Sequence, residues 1–400
     1  MLATYLWSRG IVWTGNALTA VALPLMLFQL TGSAALAGLL TALEAVPYLV
    51  LGLPVGALAD RWSPRSTLLA SSAASALAAV SIPIAALVAD VTPVHLMIVA
   101  VATSVSFVFF DAASFGAIPA IVGRDGIASA TARMMTISTL VGIAGPPLGG
   151  LVSAIAGGPV VLLIDALTYA LGAVLLARIE VLDMTPAPNR PRRHIRADIV
   201  EGLRYIRSVP VIRDLTVLGV GNSLAAGAVS GLLIVAAVRT LGLDSDSPSI
   251  GVLFGAGAVG ALAASWLVGP LQKRVGAGMI TIGALLLAAA ATCGWALSTS
   301  FLAGCIALCL WQVGTTAVSL NGIITRQTLT PSHLQGRVNT TARMIAWGGQ
   351  PFGAGAAGLL AQGIGVTPAL LIAAGVSLVT AIAASFLPVA RAAPHSSPAS

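Results

Sequence analysis

Gly56-Ala57-Leu58-Ala59-Asp60-Arg61-Trp62-Ser63-Pro64-Arg65 is a short charged turn set between two long apolar runs. A worn copy, Gly269-Pro270-Leu271-Gln272-Lys273-Arg274, lies in the second half of the chain. Both keep a Gly, a Leu two residues on and an Arg five residues on. A charged hairpin that recurs once per half is the mark of a duplicated chain.

The runs around these turns set the class. The chain has 400 residues, 57% hydrophobic and only 8% charged, against about 25% charged in a soluble domain. Apolar runs of about twenty residues cross a hydrocarbon core of ~30 Å as helices. They are continuous rather than alternating, which excludes a β-barrel. The net charge of +7 does not point to nucleic acid, because the placement of the cations follows a membrane rule. Of the 20 basic residues, 19 are Arg and one is Lys273, and only Arg239 falls in a predicted outer loop, as positive-inside topology requires.

Twelve spans are predicted: 5–30, 34–58, 67–88, 95–118, 133–156, 159–178, 212–238, 249–271, 278–297, 301–326, 338–362 and 366–388. The first run is too long for a signal peptide and is read as a span. The fold expected is all-α and integral to the membrane, with two pseudo-symmetric six-helix bundles. They occupy 1–178 and 212–388, with a cytoplasmic linker at 179–211 and a cytoplasmic tail at 389–400. Both termini are expected in the cytoplasm. In the linker, Pro186-Ala187-Pro188-Asn189-Arg190-Pro191 cannot be regular helix. Beyond it, Ile199, Leu203 and Ile206 recur at helical spacing between Arg196, Arg204 and Arg207. Two readings stand: an amphipathic helix on the inner leaflet, or a solvated connector.

A second repeat supports duplication. Thr131-Ala132-Arg133-Met134 begins the fifth span and Thr341-Ala342-Arg343-Met344 the eleventh, the same place in each six-span unit. Two such halves related by an axis along the membrane normal point to a transporter.

These residues resemble the major facilitator superfamily. Gly56, Asp60, Arg61 and Arg65 match the family's Gly-x-x-x-Asp-Arg-x-Gly-Arg-Arg loop, with Ser63-Pro64 departing from it. Gly142, Gly145, Pro146, Gly149 and Gly150 in span five are similar to the Gly-Pro-x-x-Gly-Gly signature of drug–proton antiporters. Ala22-Leu23-Pro24, Gln29-Leu30-Thr31-Gly32-Ser33, Phe109-Phe110-Asp111, Gly202-Leu203-Arg204-Tyr205-Ile206 and Gly336-Arg337-Val338 look like the branch of enterobactin and macrolide exporters. The resemblance implies that Asp60 latches the cytoplasmic side shut by meeting the N-terminus of span eleven, with Arg61 and Arg65 holding the loop. Helix N-termini attract carboxylates.

Three further acids fall well inside spans. Asp111, ~12 Å from the inner end of span four by helical rise, needs a partner or a proton, and Arg65 is the expected one. Glu44, ~24 Å of helix from Asp60, and Asp165 in span six have no evident cation. Each is a candidate proton carrier or a hydrogen-bonded structural acid. Related exporters often carry an acid in span one where this chain has Asn16. The span-five signature and Gly251, Gly255 and Gly257 of span eight offer small faces for close packing. Arg9 is either a cytoplasmic anchor or a cavity residue, with the anchor preferred. Trp13, Asn16, Tyr48, Trp311, Gln312, Asn321 and Trp347 line a candidate cavity or pack the core.

No enzyme site is expected. His95, His194, His333 and His395 are scattered, Cys293, Cys305 and Cys309 suit neither metal nor disulfide, and there is no phosphate-binding loop for ATP. The reading is a bacterial inner-membrane exporter of small amphipathic or lipophilic compounds. It is driven by the proton gradient without a cofactor, with the lipid bilayer and a small-molecule substrate as partners, no nucleic acid and a monomeric state. An uptake permease and a lipid flippase are the rivals.

Overall fold

In a computed structural model of the chain, residues 1–59, 62–179, 181, 195–245, 247–331 and 334–391 are described. The chain order is α1 (Leu2–Thr31), α2 (Ala34–Ala59), α3 (Pro64–Val88), α4 (Pro93–Ala156), α5 (Gly158–Ala177), α6 (Ile195–Ser208), α7 (Pro210–Arg239), α8 (Ser249–Ala296), α9 (Phe301–Leu329), α10 (Gln335–Trp347), α11 (Gly349–Ile364) and α12 (Val366–Phe386). A short 3-10 turn, Pro388–Arg391, follows. No strand occurs among the described residues.

Local chemistry sets the ends. α1 stops at Gly32, whose φ of 59° is open to glycine and whose N–H reaches the Phe28 carbonyl. α3 starts on Pro64 behind the Ser63 cap, which accepts from the Ser66 N–H, and α4 starts on Pro93 behind the Thr92 cap, which accepts from the His95 N–H.

Ten helical segments among the described residues are long and apolar enough to cross a membrane. One of them, α8, has 48 residues, about 72 Å of helix and so enough for two crossings; it is broken at Gly276, with φ 79° and ψ 161°. α10 and α11, parted at Gly348, supply the remaining crossing, giving twelve.

Two expectations about connections are corrected. The stretch 119–132, predicted as an inner loop, is helical within α4, and the chain turns at a single residue, Gly123, with φ 68° and ψ −178°. The second charged hairpin, Gly269–Arg274, is likewise helical, and the turn comes at Gly276. In each case one positive-φ glycine reverses the chain without a loop. The Pro-rich linker piece, Asp60, Arg61, His194, His333 and the tail 392–400 lie outside the described residues.

The contacts form two compact units. The first comprises Met1–Gly32, Leu43–Arg192 and Asp244–Gly255; the second comprises Ser33–Ala42, Arg193–Leu243 and Ala256–Ser400. In the first, Tyr5, Val12, Leu68, Phe110, Tyr169 and Leu176 share a core contributed by α1, α3, α4 and α5. In the second, α7 packs on α9, α11 and α12.

α6 is not a free connector. Ile206 is buried with Ile212, Leu334, Val338 and Ala342. The Tyr205 hydroxyl donates to the Leu329 carbonyl at 2.7 Å, and Glu201 pairs with Arg337. Gly202 lies where a Cβ would stand 3.0 Å from the Arg337 carbonyl oxygen. The helix is thus docked on α10 and the end of α9.

Candidate functional site

The densest polar chemistry of the first unit lies where α1 meets α4 and α5. Glycines bring these helices close. A Cβ at Gly149 would stand 2.7 Å from the Leu18 carbonyl oxygen, and one at Gly172 would stand 2.5 Å from Val12 Cγ2. Polar side chains between such helices must find partners in one another, because hydrocarbon offers none.

Arg9 is 1% exposed. Its guanidinium carbon lies 4.4 Å from the Trp13 ring centroid and 4.7 Å from that of Phe110, a cation held between two aromatic rings. Nη1 donates to Ser114 Oγ at 2.7 Å, and Nη2 stands 3.9 Å from Asp111 Oδ1. The Tyr5 hydroxyl donates to the Ser114 carbonyl at 3.3 Å. Arg9 is therefore buried among these side chains rather than an interfacial anchor, and it is a cation beside Asp111. Arg65, the expected partner of Asp111, donates through Nη2 to the Ala177 carbonyl, bracing the end of α5. Neighbouring Trp62 stacks on Phe109 at 6.1 Å.

About two to three turns further along α1, Asp165 is 1% exposed and its partners are hydroxyls. Thr19 Oγ1 donates to Oδ2 at 2.7 Å, and Thr168 Oγ1 lies 3.4 Å from Oδ1. A Cβ on Gly15 would stand 2.2 Å from Asp165 Oδ1, so the carboxyl lies tight against α1. Beside it the Tyr169 hydroxyl donates to Asn16 Oδ1 at 2.5 Å. Glu44, on α2, is partly buried. Its backbone carbonyl accepts from Ser104 Oγ at 2.5 Å, and no described residue bonds to its carboxylate. Neither Glu44 nor Asp165 has a cation at ion-pair distance among the described residues.

The span-five signature divides in two. Gly145, Gly149 and Gly150 are close-contact positions, whereas a Cβ at Gly142 would meet nothing within 4 Å. A Cβ at Gly150 would stand 2.5 Å from Gly251 Cα, and one at Gly255 2.6 Å from Pro147 Cγ. The proline next to Pro146 thus packs on the start of α8 within the first unit. In the second unit, Gly38 and Gly358 make a similar approach, with the Cβ of Gly38 2.8 Å from Gly358 Cα.

The cavity candidates of the second unit lie on α9 and α10. Asn321 is fully buried and joins α8 to α9: Nδ2 donates to the Ala277 carbonyl at 2.8 Å and to Thr281 Oγ1 at 2.9 Å, and Oδ1 accepts from Gln272 Nε2 at 2.6 Å. Trp311 is buried and Gln312 Nε2 donates to Thr316 Oγ1 at 3.3 Å. Trp347 is exposed, with the Arg343 guanidinium carbon 5.5 Å from its ring centroid. Tyr48, in the first unit, is partly buried on α2.

Sequence reasoning missed a third repeat. Gly15-Asn16-Ala17-Leu18 on α1 recurs as Gly221-Asn222-Ser223-Leu224 on α7. A Cβ on Gly15 would meet Thr168 Oγ1 at 2.1 Å, and one on Gly221 would meet Thr380 Oγ1 at 2.3 Å, so both units use a glycine to seat a threonine. Asn222 Nδ2 donates to the Thr315 carbonyl at 3.3 Å. The Gly-Asn-x-Leu string was the available signal. No group of His, Cys, Asp and Glu suited to a metal ion occurs among the described residues.

Comparison with known proteins gives the same picture. The model of the Major Facilitator Superfamily matches residues 6–348. The chain is 29% identical over 389 residues to the multidrug efflux pump Tap of Mycolicibacterium fortuitum, covering 94% of this chain and 92% of that one. It is 26% identical over 333 residues to the enterobactin exporter EntS of Escherichia coli O1:K1, covering 80% and 76%. Among solved structures, a mutant form of the nucleoside transporter NupG superposes with a TM-score of 0.76 at 12% identity, over 95% of this chain and 98% of that one. A bacterial homologue of the iron transporter ferroportin, in an inward-facing state, superposes with a TM-score of 0.73 at 15% identity, over 96% and 98%. At these identities the solved structures speak for the fold alone.

Proposed function

This chain belongs to the Major Facilitator Superfamily, and from that premise we propose that it exports small amphipathic or lipophilic compounds by proton antiport. It is a multi-pass membrane transporter and not an enzyme. The observation that supports export is the near full-length similarity to a multidrug efflux pump, joined by similarity to a siderophore exporter. In this reading the protein sits in a bacterial inner membrane with both termini in the cytoplasm. It works as a monomer, and its six-span halves, 1–178 and 212–388, are joined by the linker 179–211. The gradient replaces any cofactor.

The proton step falls to an intramembrane acid without a cation. Asp111 has Arg9 beside it, and a charge so placed is a poor carrier. Asp214, near the start of α7, pairs with Arg213 at 3.0 Å, so Asp165 and Glu44 are the two acids left. Asp165 is the better placed, since Thr19 and Thr168 hold its oxygens and Gly15 lets α1 close over it. A proton that stabilises one conformation by a few kcal/mol more than the other biases alternating access. The test is dye or antibiotic accumulation in a strain lacking its own efflux pumps, with and without a protonophore. Export predicts protonophore-sensitive lowering of accumulation, lost in Asp165→Asn or Glu44→Gln at equal membrane abundance. Protein-independent accumulation across a broad panel overturns export; coupling intact in both variants overturns the carrier assignment.

A further inference from the structure

Threonines in helices commonly turn their hydroxyls back on their own backbone. On α1, Thr14 bonds the Gly10 carbonyl at 2.8 Å and Thr31 the Leu27 carbonyl at 2.7 Å. Thr19 does otherwise. It is buried, and its Oγ1 crosses to α5 and donates to Asp165 Oδ2 at 2.7 Å. The second hydroxyl at the carboxylate, Thr168 Oγ1, donates to the Asp165 backbone carbonyl at 2.7 Å and lies 3.4 Å from Oδ1. A hydroxyl has one proton, so the short bond from Thr19 is the main one that the carboxylate receives. Gly15, one turn before Thr19, leaves the space that Asp165 Oδ1 and Thr168 Oγ1 occupy. α1 thus offers Asp165 a notch and a donor on one face.

The second half keeps this scaffold and drops its chemistry. Gly15 and Thr168 correspond to Gly221 and Thr380, which meet in the same way, and Thr380 also turns back, to the Val376 carbonyl at 2.7 Å. Four residues after Gly221 stands Ala225, where the first half has Thr19. Three residues before Thr380 stands Ser377, where the first half has Asp165. Both are buried. The acid and its donor are replaced together while the glycine and the threonine stay, as expected of two groups with one task. The other titratable and charged groups on the helices packed around Asp165 have partners of their own. Tyr169, one turn along α5, donates to Asn16 Oδ1 at 2.5 Å. On α1, Tyr5 and Arg9 face Ser114, and Asp111 of α4 stands beside Arg9. On α3, Arg65 bonds the Ala177 carbonyl, and His95 at the start of α4 lies 2.8 Å from Ser81 Oγ.

We propose that Thr19 is a positioning residue for Asp165, one that links the place of α1 to the charge of the carboxyl and so sets the pH range of efflux. A hydrogen bond donated to a carboxylate favours its ionised form. A conformation that draws Thr19 away favours the neutral form, and by reciprocity a proton on Asp165 loosens the hold on α1. The proposal rests on the reading of Asp165 as the proton carrier; the contact itself does not.

The test is pH-difference infrared spectroscopy of the purified full-length protein in phosphatidylcholine nanodiscs, paired with ethidium efflux from cells as the outside pH is varied. The carboxyl band that Asp165→Asn removes belongs to Asp165. Thr19→Val keeps the shape of the side chain and loses the donor. Its band is expected at higher frequency, because an oxygen has lost a hydrogen bond. Proton uptake from outside then persists to higher pH, so the alkaline limb of the efflux profile is expected to move up by about one pH unit. Thr19→Ser is expected to restore both readouts, and Thr14→Val, whose hydroxyl bonds its own helix, to change neither. Thr19→Cys, a weaker donor, gives an intermediate band and keeps the test informative if Thr19→Val fails to fold. An unmoved band in Thr19→Val, or no return toward the wild type in Thr19→Ser, overturns the Thr19 assignment and leaves the carrier reading standing where Asp165→Asn still abolishes coupling. A shifted band with an unshifted efflux profile overturns the carrier reading, and with it the part of Thr19 in transport, while the contact stands.

Discussion

Arg9 carries the clearest lesson at the scale of single residues. An arginine near the start of a span reads as an anchor, because sequence shows depth along a helix but not what surrounds it. Here Trp13 and Phe110 enclose it and Asp111 supplies a charge across 3.9 Å. Removing one member of such a buried pair strands the other, at roughly 3–5 kcal/mol. Arg9→Gln and Asp111→Asn are each expected to lower the unfolding temperature of the purified protein, and the double variant to recover part of the loss. Additive losses in that cycle would show that the two charges do not interact. Asp165→Asn differs in kind. The amide keeps an acceptor for Thr19, so stability is expected to hold while coupling goes, and a large drop in unfolding temperature would instead make Asp165 a structural acid.

Among the elements, hydropathy located the spans because hydrocarbon leaves the backbone no alternative to helix, and composition alone carries that signal. It could not place the turns at Gly123 and Gly276, since one positive-φ glycine among 43 in the chain has no distinguishing neighbours. Nor could it say which glycines of span five are closed upon. The structure separates them, and the separation is testable. Gly142→Ala, where the added methyl meets nothing within 4 Å, is expected to be neutral or slightly stabilising. Gly150→Ala drives a methyl to 2.5 Å from Gly251 Cα, and Gly38→Ala drives one to 2.5 Å from the Ala354 carbonyl oxygen. Backbone cannot yield as a flexible side chain would, so each is expected to cost about 1–3 kcal/mol, read as a fall in unfolding temperature at unchanged expression. A Gly142→Ala variant as damaged as Gly150→Ala would contradict this packing. The docking of α6 was half legible: its helical spacing was plain, while its partner surface on α10 lies more than a hundred residues away in sequence.

For the whole molecule the question is whether the repeated halves are equivalent. Sequence repeats at three places argue for common descent, yet the chemistry at those places differs. Arg326, whose Nε stands 3.5 Å from Asn339 Oδ1, lies seventeen residues before Arg343, whereas the position seventeen before Arg133 holds a glycine. The first charged turn carries Asp60, where the second carries Lys273, exposed on the helical stretch before Gly276. A carboxylate that meets a helix N-terminus in one state and not in the other shifts the balance between states by its differential energy alone. For a charge at a helix end that is about 0.3–2 kcal/mol, so loss of the charge changes the population of the latched state by up to about thirtyfold. Lys273 has the wrong sign for that contact and an exposed position. Asp60→Asn is therefore expected to slow efflux severely, and Lys273→Asn to leave it within about twofold, at matched abundance in the membrane. Cysteine labelling from the two sides of the membrane should show the Asp60 variant shifted between states and the Lys273 variant unshifted. Equal damage from the two substitutions would mean that the turns work as a symmetric pair and that Asp60 is no latch.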